Sequence, residues 1–317
     1  MDTEQAERRV TQCASRPIRY SALMTLNVLF TSRHIAYASG DFRLTYGGGR
    51  FADDLNTQKI IPVCKFDWCA LVTFCGLAKT SAGVDVGDWI VDQAKLGVAR
   101  DSLADFVGRL RSGERWISKL RGPKGITISI VGFLGRKPFL VCLSNFQHID
   151  GTYFKQIEPN LQKFDLRPKL PEVRVFGDRG AVTELERIEL TGRLSKLPED
   201  LEVVADVNRV ASSRSKLISE PCVVGAIMPT GEGWICPFGI DPESEYMPNF
   251  VLRGSSQPLP LKPKVDANGN PLKMGWVQSA FKTQPLNGMP VCAVMHEIRN
   301  ADGPPAAGPA QPGGPIV

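Results

Sequence analysis

The sequence predicts an α+β fold in which antiparallel sheets pack face to face between layers of helices. Three observations carry this expectation. Strand-like segments come first, then a pair of helical patterns, then strands, a second helical pair and closing strands, which is not the strict alternation that builds a parallel βαβ sheet. The strand segments show the period-two apolar spacing of extended chain. The chain has 317 residues, 43% of them hydrophobic, which is enough for a full core and one or two domains.

Residues 1–23 are polar, carry Arg8, Arg9, Arg16 and Arg19, and contain no hydrophobic block. They read as a leader, an arm or a mis-called start, and not as a secretory signal. From Thr25 the character changes. Leu26, Val28 and Phe30 alternate, and after Ser32-Arg33 a second run extends from His34 to Ser39, which reads as a β-hairpin. With a two-residue turn, Thr31 faces His34 and Thr25 faces Gly40. Ser-Arg is a poor turn pair, so a longer loop is the alternative.

Strands are expected at residues 59–64 and 69–74. Helical spacing follows at Val86, Trp89, Ile90 and Ala94, then at Leu103, Phe106 and Leu110. Strands return at 126–131, where Ile126, Ile128 and Ile130 alternate, and at 138–143. The second helical pair is read from Ala181, Leu185 and Ile188, then Leu201, Val204 and Ala205. Strands at 222–228 and 233–236 complete the pattern, so that residues 24–240 form the main domain. Beyond about residue 241 periodicity fades and prolines accumulate, so 241–300 reads as a C-terminal extension. The last 17 residues hold five prolines and four glycines and are expected to be a disordered tail.

Charge and cysteine usage narrow the function classes. The net charge of +5 is spread over 38 basic and 33 acidic residues, too diluted for the gathered basic face that nucleic acid requires, so a nucleic-acid partner is not expected. Eight cysteines form no C-x-x-C pair and only three histidines accompany them, which argues against a structural zinc site; no metal or cofactor is expected. Cysteines inside apolar runs, such as Val141-Cys142-Leu143, read as small buried hydrophobes in a reducing, cytoplasmic setting. No run approaches the roughly 20 apolar residues of a membrane span, so no membrane partner is expected.

The first hairpin also gathers chemistry. If Thr25 faces Gly40, Asp41 is its neighbour across the ladder, so a hydroxyl, a carboxylate and the guanidinium of Arg43 meet at one strand end. Lys59 opens a later strand and can bring an ammonium there, and Gly76 ends the strand after it. Read alone, each has a bland role: a β-branched strand residue, a surface ion pair, a strand-start lysine, a turn glycine.

In order and spacing, residues 25–76 resemble the start of a proteasome β-type subunit, a member of the N-terminal-nucleophile hydrolase superfamily. Threonine heads the first strand, Asp41-Phe42-Arg43 follows 16 residues later, Thr57-Gln58-Lys59 opens the third strand, and Phe74-Cys75-Gly76 ends in the family's glycine turn. The resemblance implies a four-layer αββα sandwich and a threonine peptide or amide hydrolase without cofactor, working as a homo-oligomer. In it Thr25 is nucleophile and, through a free α-amine, base. Lys59 lowers the proton affinity of both groups, Asp41 holds Lys59, and Arg43 braces the pair. The Gly76 N–H would be the oxyanion donor, a contact worth about 3–4 kcal/mol of barrier. Gly177-Asp178-Arg179-Gly180 matches the turn before the third helix. Ser212, Ser213 and Ser215 fall where the family has an Asp-x-x-Ser element, with no aspartate in that stretch.

Thr25 follows Leu23-Met24, where self-cleaving members carry glycine. Two readings stay open: a chain trimmed to begin at Thr25, as a methionine aminopeptidase would do were translation to start at Met24, or an untrimmed, inactive self-assembling subunit. Gly47-Gly48-Gly49-Arg50 lacks a phosphate-loop ending and reads as a hairpin tip. Arg109, Arg111, Arg115, Lys119, Arg121 and Lys124 around Trp116 read as the solvated face of an amphipathic helix broken at Gly113, with polyanion binding as a weaker alternative. Trp234, Phe250 and Trp276 read as core or docking residues.

Overall fold

The computed structural model describes residues 25–45, 51–79, 84–97, 100–113, 125–166, 170–196, 201–241, 244, 249–252, 254–258, 274–277 and 294–297. One seven-stranded sheet contains, in spatial order, β10 (Glu172–Gly177), β1 (Leu26–Thr31), β2 (Ala36–Asp41), β11 (Cys222–Ile227), β12 (Gly233–Phe238), β15 (Met274–Val277) and β16 (Val294–Glu297). The other runs β14 (Ser255–Pro258), β13 (Asn249–Leu252), β5 (Ile60–Cys64), β6 (Trp68–Gly76), β7 (Ile126–Leu134), β8 (Lys137–Ser144) and β9 (Gln162–Leu166). A small hairpin, β3 (Arg43–Thr45) with β4 (Phe51–Asp53), flanks the glycine-rich segment; residues 46–50 themselves lie outside the described residues.

Both faces of each sheet are covered, which sorts alternate side chains into three cores. Ile60, Cys69, Leu71, Cys75, Val131 and Phe133 meet Leu29, Ala38, Val223 and Ile227 between the sheets. On the far face of the second sheet, Ile61, Val63, Val72, Phe74, Ile128 and Ile130 pack under α1 (Val86–Leu96) and α2 (Leu103–Ser112). On the far face of the first, Leu26, Val28, Phe30, Val224 and Ala226 pack under α3 (Glu184–Lys196) and α4 (Leu201–Arg214). The molecule is thus the αββα sandwich that the sequence predicts, its sheets antiparallel apart from the β13–β5 pair. Asp85 and Ser102 cap α1 and α2 with side-chain oxygens that accept early N–H groups. α2 stops at Gly113, as expected; residues 114–124 of the basic stretch lie outside the described residues.

Three expectations need correction. In the β1–β2 ladder Thr31 pairs with Ala36 and Leu29 with Ala38, so Thr31 does not face His34 and Thr25 does not face Gly40. The loop spans Ser32 to Ile35, because the Ser32 hydroxyl accepts the His34 and Ile35 N–H groups (3.2 and 3.0 Å) and donates to Ile35 O (2.9 Å). A shift of two residues keeps every side chain on its predicted face, whereas a shift of one would invert them.

On α3 the spacing Leu185, Ile188 marks the wrong face: both are exposed, while Leu190 and Leu194, one turn apart, are buried. Ala181, read with them, sits in a 3-10 turn, Arg179–Ala181, ahead of the helix.

Strands β9, β10, β13, β14, β15 and β16 were not expected. β13 runs parallel to β5, with Val251 opposite Val63. The Gln58 carboxamide extends that pairing by one step. Its Nε2 donates to Asn249 O (2.6 Å) and its Oε1 accepts from Asn249 N (2.8 Å).

Candidate functional site

The site lies where β1 begins, β2 ends and β5 starts. The β1–β2 ladder runs from Thr31 and Ala36 to Leu29 and Ala38, and toward the start of β1 side chains take over from backbone carbonyls. The Ser39 hydroxyl accepts the Val28 N–H (3.1 Å) and the Asp41 carboxylate accepts the Leu26 N–H (3.0 Å). The other Asp41 oxygen accepts the Arg43 N–H (3.1 Å), and Ser219 holds the intervening Phe42 N–H (2.9 Å). The Asp41 carboxylate is therefore held by two N–H groups, and Ser219 fixes the residue after it.

Lys59 reaches this carboxylate from the second sheet. Its ammonium lies 3.9 Å from Asp41 Oδ1, donates to Arg43 O (3.2 Å) and sits 5.6 Å from the centre of the Phe74 ring. Both Asp41 and Lys59 are wholly buried. Burial dominates their titration: it pushes the carboxyl up from 3.8 to about 7 against the pull of Lys59, and it drives the ammonium down from 10.5 against the pull of Asp41. Two groups biased toward their neutral forms, yet held in contact, form a proton-labile pair.

Thr25 is 2% exposed, and its hydroxyl is buried without a hydrogen-bond partner. Alternation along β1 puts Thr25 and Asn27 on the face of Leu29, toward the sheet that supplies Lys59. Asn27 is likewise buried with both amide atoms unpartnered, and it lies against Gly40, whose Cα approaches the Lys59 stem. The Thr25 hydroxyl and the Lys59 ammonium are not bonded to each other in this state. Thr25 is tied to the pair through its neighbour Leu26, whose N–H is bound by Asp41.

The remaining predicted residues are placed differently. Arg43 contributes its backbone; its guanidinium turns outward to Asp53 and to Lys216 O. Gly76 ends β6 at φ 92°, and a Cβ there would stand 2.2 Å from Gly125 O, so the bare backbone has a steric reason of its own. Its neighbour Cys75 lies in the field of Lys59, with its thiol pushed up to about 12 by burial.

Sequence reasoning named Gly177 and Asp178 only as a turn before a helix, and the structure seats Thr25 on them. Asp178 N–H donates to Thr25 O (3.0 Å), and Gly177 leaves that carbonyl room, since a Cβ would fall 1.7 Å from it. The aspartate absent from the 212–215 stretch arrives from elsewhere: Ser215 donates to Asp178 Oδ2 (2.6 Å), while Ser212 and Ser213 donate to carbonyls of their own helix. No motif links residues 177–178 to 215, so only the fold reveals this contact. Among the described residues no three His, Cys, Asp or Glu side chains gather as a metal would need. No helix of the described residues is long and apolar enough to cross a membrane.

No protein-family model matches the chain, and no curated protein matches it. Solved structures with a similar backbone include Anbu proteins. Anbu from Hyphomicrobium sp. strain MC1 is 11% identical with a TM-score of 0.44, covering 65% of this chain and 83% of that one. Anbu (ancestral beta-subunit) from Yersinia bercovieri is 10% identical with a TM-score of 0.44, covering 64% and 81%. The helical assembly of the Anbu complex from Pseudomonas aeruginosa gives 9% identity and a TM-score of 0.40, covering 77% and 88%. With each score below 0.5, the functional reading rests on the chain's own residues.

Proposed function

We propose that the protein is a proteasome-like threonine hydrolase that cleaves peptide or amide bonds through an acyl-enzyme on Thr25. One observation carries this reading. A lysine and an aspartate, both fully buried, meet at 3.9 Å and are fastened to the N–H that follows a buried threonine whose hydroxyl has no partner. A buried ion pair is weak evidence for stability, because well-packed apolar residues usually do as well. Its position beside an unsatisfied nucleophile gives it a chemical use instead.

In the reaction Oγ1 attacks the substrate carbonyl carbon while the α-amine of a chain beginning at Thr25 takes the hydroxyl proton. The C–N bond then breaks, the proton leaves on the departing amine, and water hydrolyses the ester. Lys59, held by Asp41 and Arg43 O, supplies positive potential that disfavours protonation of the amine. The Gly76 N–H is the oxyanion donor in this reading. Residues 24–240 carry the site, and within the 241–300 extension β13 covers the edge of β5 while β15 and β16 lengthen the first sheet. The six described cysteines are buried thiols, which suits work in a reducing cytoplasm.

The test is intact mass spectrometry of protein purified from its native source, before and after exposure to a peptidyl β-lactone. A chain beginning at Thr25 that gains one acyl group there supports hydrolysis. A chain that retains the preceding residues and stays unmodified sinks it.

A second reading is favoured by a different observation: at 2% exposure, Thr25 is closed to a substrate in this state. An inactive subunit that self-assembles through the same fold needs no open site. Under that reading Thr25→Ala leaves both assembly and cellular phenotype intact.

A further inference from the structure

We propose that Gln147 is a positioning residue for Thr25, an inference that rests on the hydrolase reading above. Among the described residues β10 is the edge strand of its sheet: it pairs with β1 on one side and no described strand lies on the other. At its last residue, Gly177, the carboxamide of Gln147 takes the place of the missing strand. Gln147 Nε2 donates to Gly177 O (2.9 Å), and Gln147 Oε1 accepts from Gly177 N (3.0 Å). Both polar groups of one peptide residue are thereby held by a single side chain, as a neighbouring strand would hold them. Tyr153 Oη adds a second donor to the same carbonyl (2.7 Å).

What Gly177 carries is the seat of Thr25. Its φ of 87° turns the chain out of β10, so that the next N–H, that of Asp178, faces β1 and donates to Thr25 O. The Thr25 carbonyl lies against the bare Gly177 Cα, at a spot any Cβ would fill. A shift of Gly177 is therefore a shift of Thr25.

Gln147 is itself fixed. It is wholly buried; the Ser144 hydroxyl accepts its N–H (2.9 Å), Gly151 O accepts from its Nε2 (3.3 Å), and Thr127 donates to its Oε1 (3.4 Å). A rigid line runs from the end of β8 through Gln147 and Gly177 to the threonine. Displacements of about 1 Å at a reacting group can cost about 100-fold in rate, so a residue two links away can control the chemistry without touching the substrate.

The test uses Gln147→Glu, which keeps shape and changes one donor into an acceptor. A neutral glutamic acid can still donate to Gly177 O and accept from Gly177 N, while the ionised form cannot donate. Burial raises the pKa of the new carboxyl, so acid restores the missing bond. Two rates are compared with wild type at each pH: acylation of Thr25 by a peptidyl β-lactone, and hydrogen exchange of the Asp178 N–H. Val224 in β11 serves as a distant reference.

The expected result at about pH 8 is acylation slower by about 100-fold and Asp178 exchange faster by roughly tenfold. Val224 stays at its wild-type rate, and acylation recovers at about pH 5.5. Wild-type exchange at Asp178, or a rise at Val224 equal to that at Asp178, overturns the proposal. If wild-type Thr25 is never acylated, the hydrolase reading fails separately and Asp178 exchange alone decides: a confined acceleration upholds the seat, and none removes it. Should Gln147→Glu not fold, Tyr153→Phe deletes one bond to the same carbonyl. A smaller acceleration confined to residues 177–178 then supports the proposal, and no change overturns it.

Discussion

The Asp41 carboxylate accepts the Leu26 N–H at 3.0 Å, so a side chain of β2 occupies the place of a backbone carbonyl at the very start of β1. The first strand is thereby anchored by a group that also meets Lys59, which ties the residue after Thr25 to a buried pair whose charge state depends on pH.

That dependence can be read from stability against pH. Asp41, raised to about 7, binds its proton more tightly in the folded protein than in the unfolded chain. Its contribution is complete below about pH 4 and is lost as pH rises toward 7. Lys59 is lowered, so its contribution runs the other way and grows toward its unfolded value of 10.5. In Lys59→Met the attraction that opposes the rise of Asp41 is gone, and the carboxyl stays protonated to higher pH. The expected loss is about 3–5 kcal/mol at pH 8 and smaller at pH 5. Urea denaturation at both pH values measures it, and equal losses would contradict a charged Asp41 beside Lys59.

The Thr25 hydroxyl is costly where it stands. Buried without a partner, it forgoes the hydrogen bonds that water gives it in the unfolded chain. Thr25→Val keeps the branched shape and removes the orphan oxygen. We expect a gain of about 1 kcal/mol in unfolding free energy together with complete loss of β-lactone labelling. A destabilised valine variant would mean that the hydroxyl has a partner after all.

Two glycines make a controlled comparison. Gly177→Ala meets the Thr25 carbonyl at 1.7 Å with φ at 87°, and should cost roughly 2–6 kcal/mol. Gly192, exposed within α3, has nothing within 4 Å of a built Cβ. Gly192→Ala should gain about 0.5–1 kcal/mol from helix propensity. Thermal unfolding of the two variants checks both signs, and a tolerated Gly177→Ala would show that Thr25 can move.

What the sequence made legible follows from which forces act locally. Leu26, Val28 and Phe30 announced β1 because one face packs under helices, and Asp41 and Lys59 could be singled out because spacing alone brings the first strands together. β9 and β10 went unread although Phe164 and Leu166, and Val173 and Val175, alternate with charged residues, because each run offers only about two apolar positions at that spacing. The register failed by two residues because one serine hydroxyl lengthened the loop. Leu185 and Ile188 misled because apolar residues at helical spacing need not face the core. Gln147 escaped, and so did the contacts of Gly177 and Asp178 with Thr25, because the partners lie about 30 to 150 residues apart and obey no local pattern.

Gln58 offers the most direct test of how the second sheet is closed. Gln58→Ala deletes both bonds to the Asn249 backbone and one to Ile60 O. The orphaned backbone groups should cost about 1–3 kcal/mol each where they remain buried. Hydrogen exchange should accelerate at Asn249–Leu252 before it does in β6 or β7. Uniform acceleration through the sheet would instead mean that β13 is not a separable edge.

The partner of β5 lies 191 residues further along the chain than Gln58, which binds it. At about 5–20 residues per second, a ribosome needs roughly 10–40 s to make that stretch. During this interval the nascent protein carries Lys59 and an unpaired strand edge, open to pairing with any other chain. Synthesis of β13 is thus the event that covers the flank bearing Lys59, and premature termination anywhere before Asn249 yields a molecule inclined to join its neighbours.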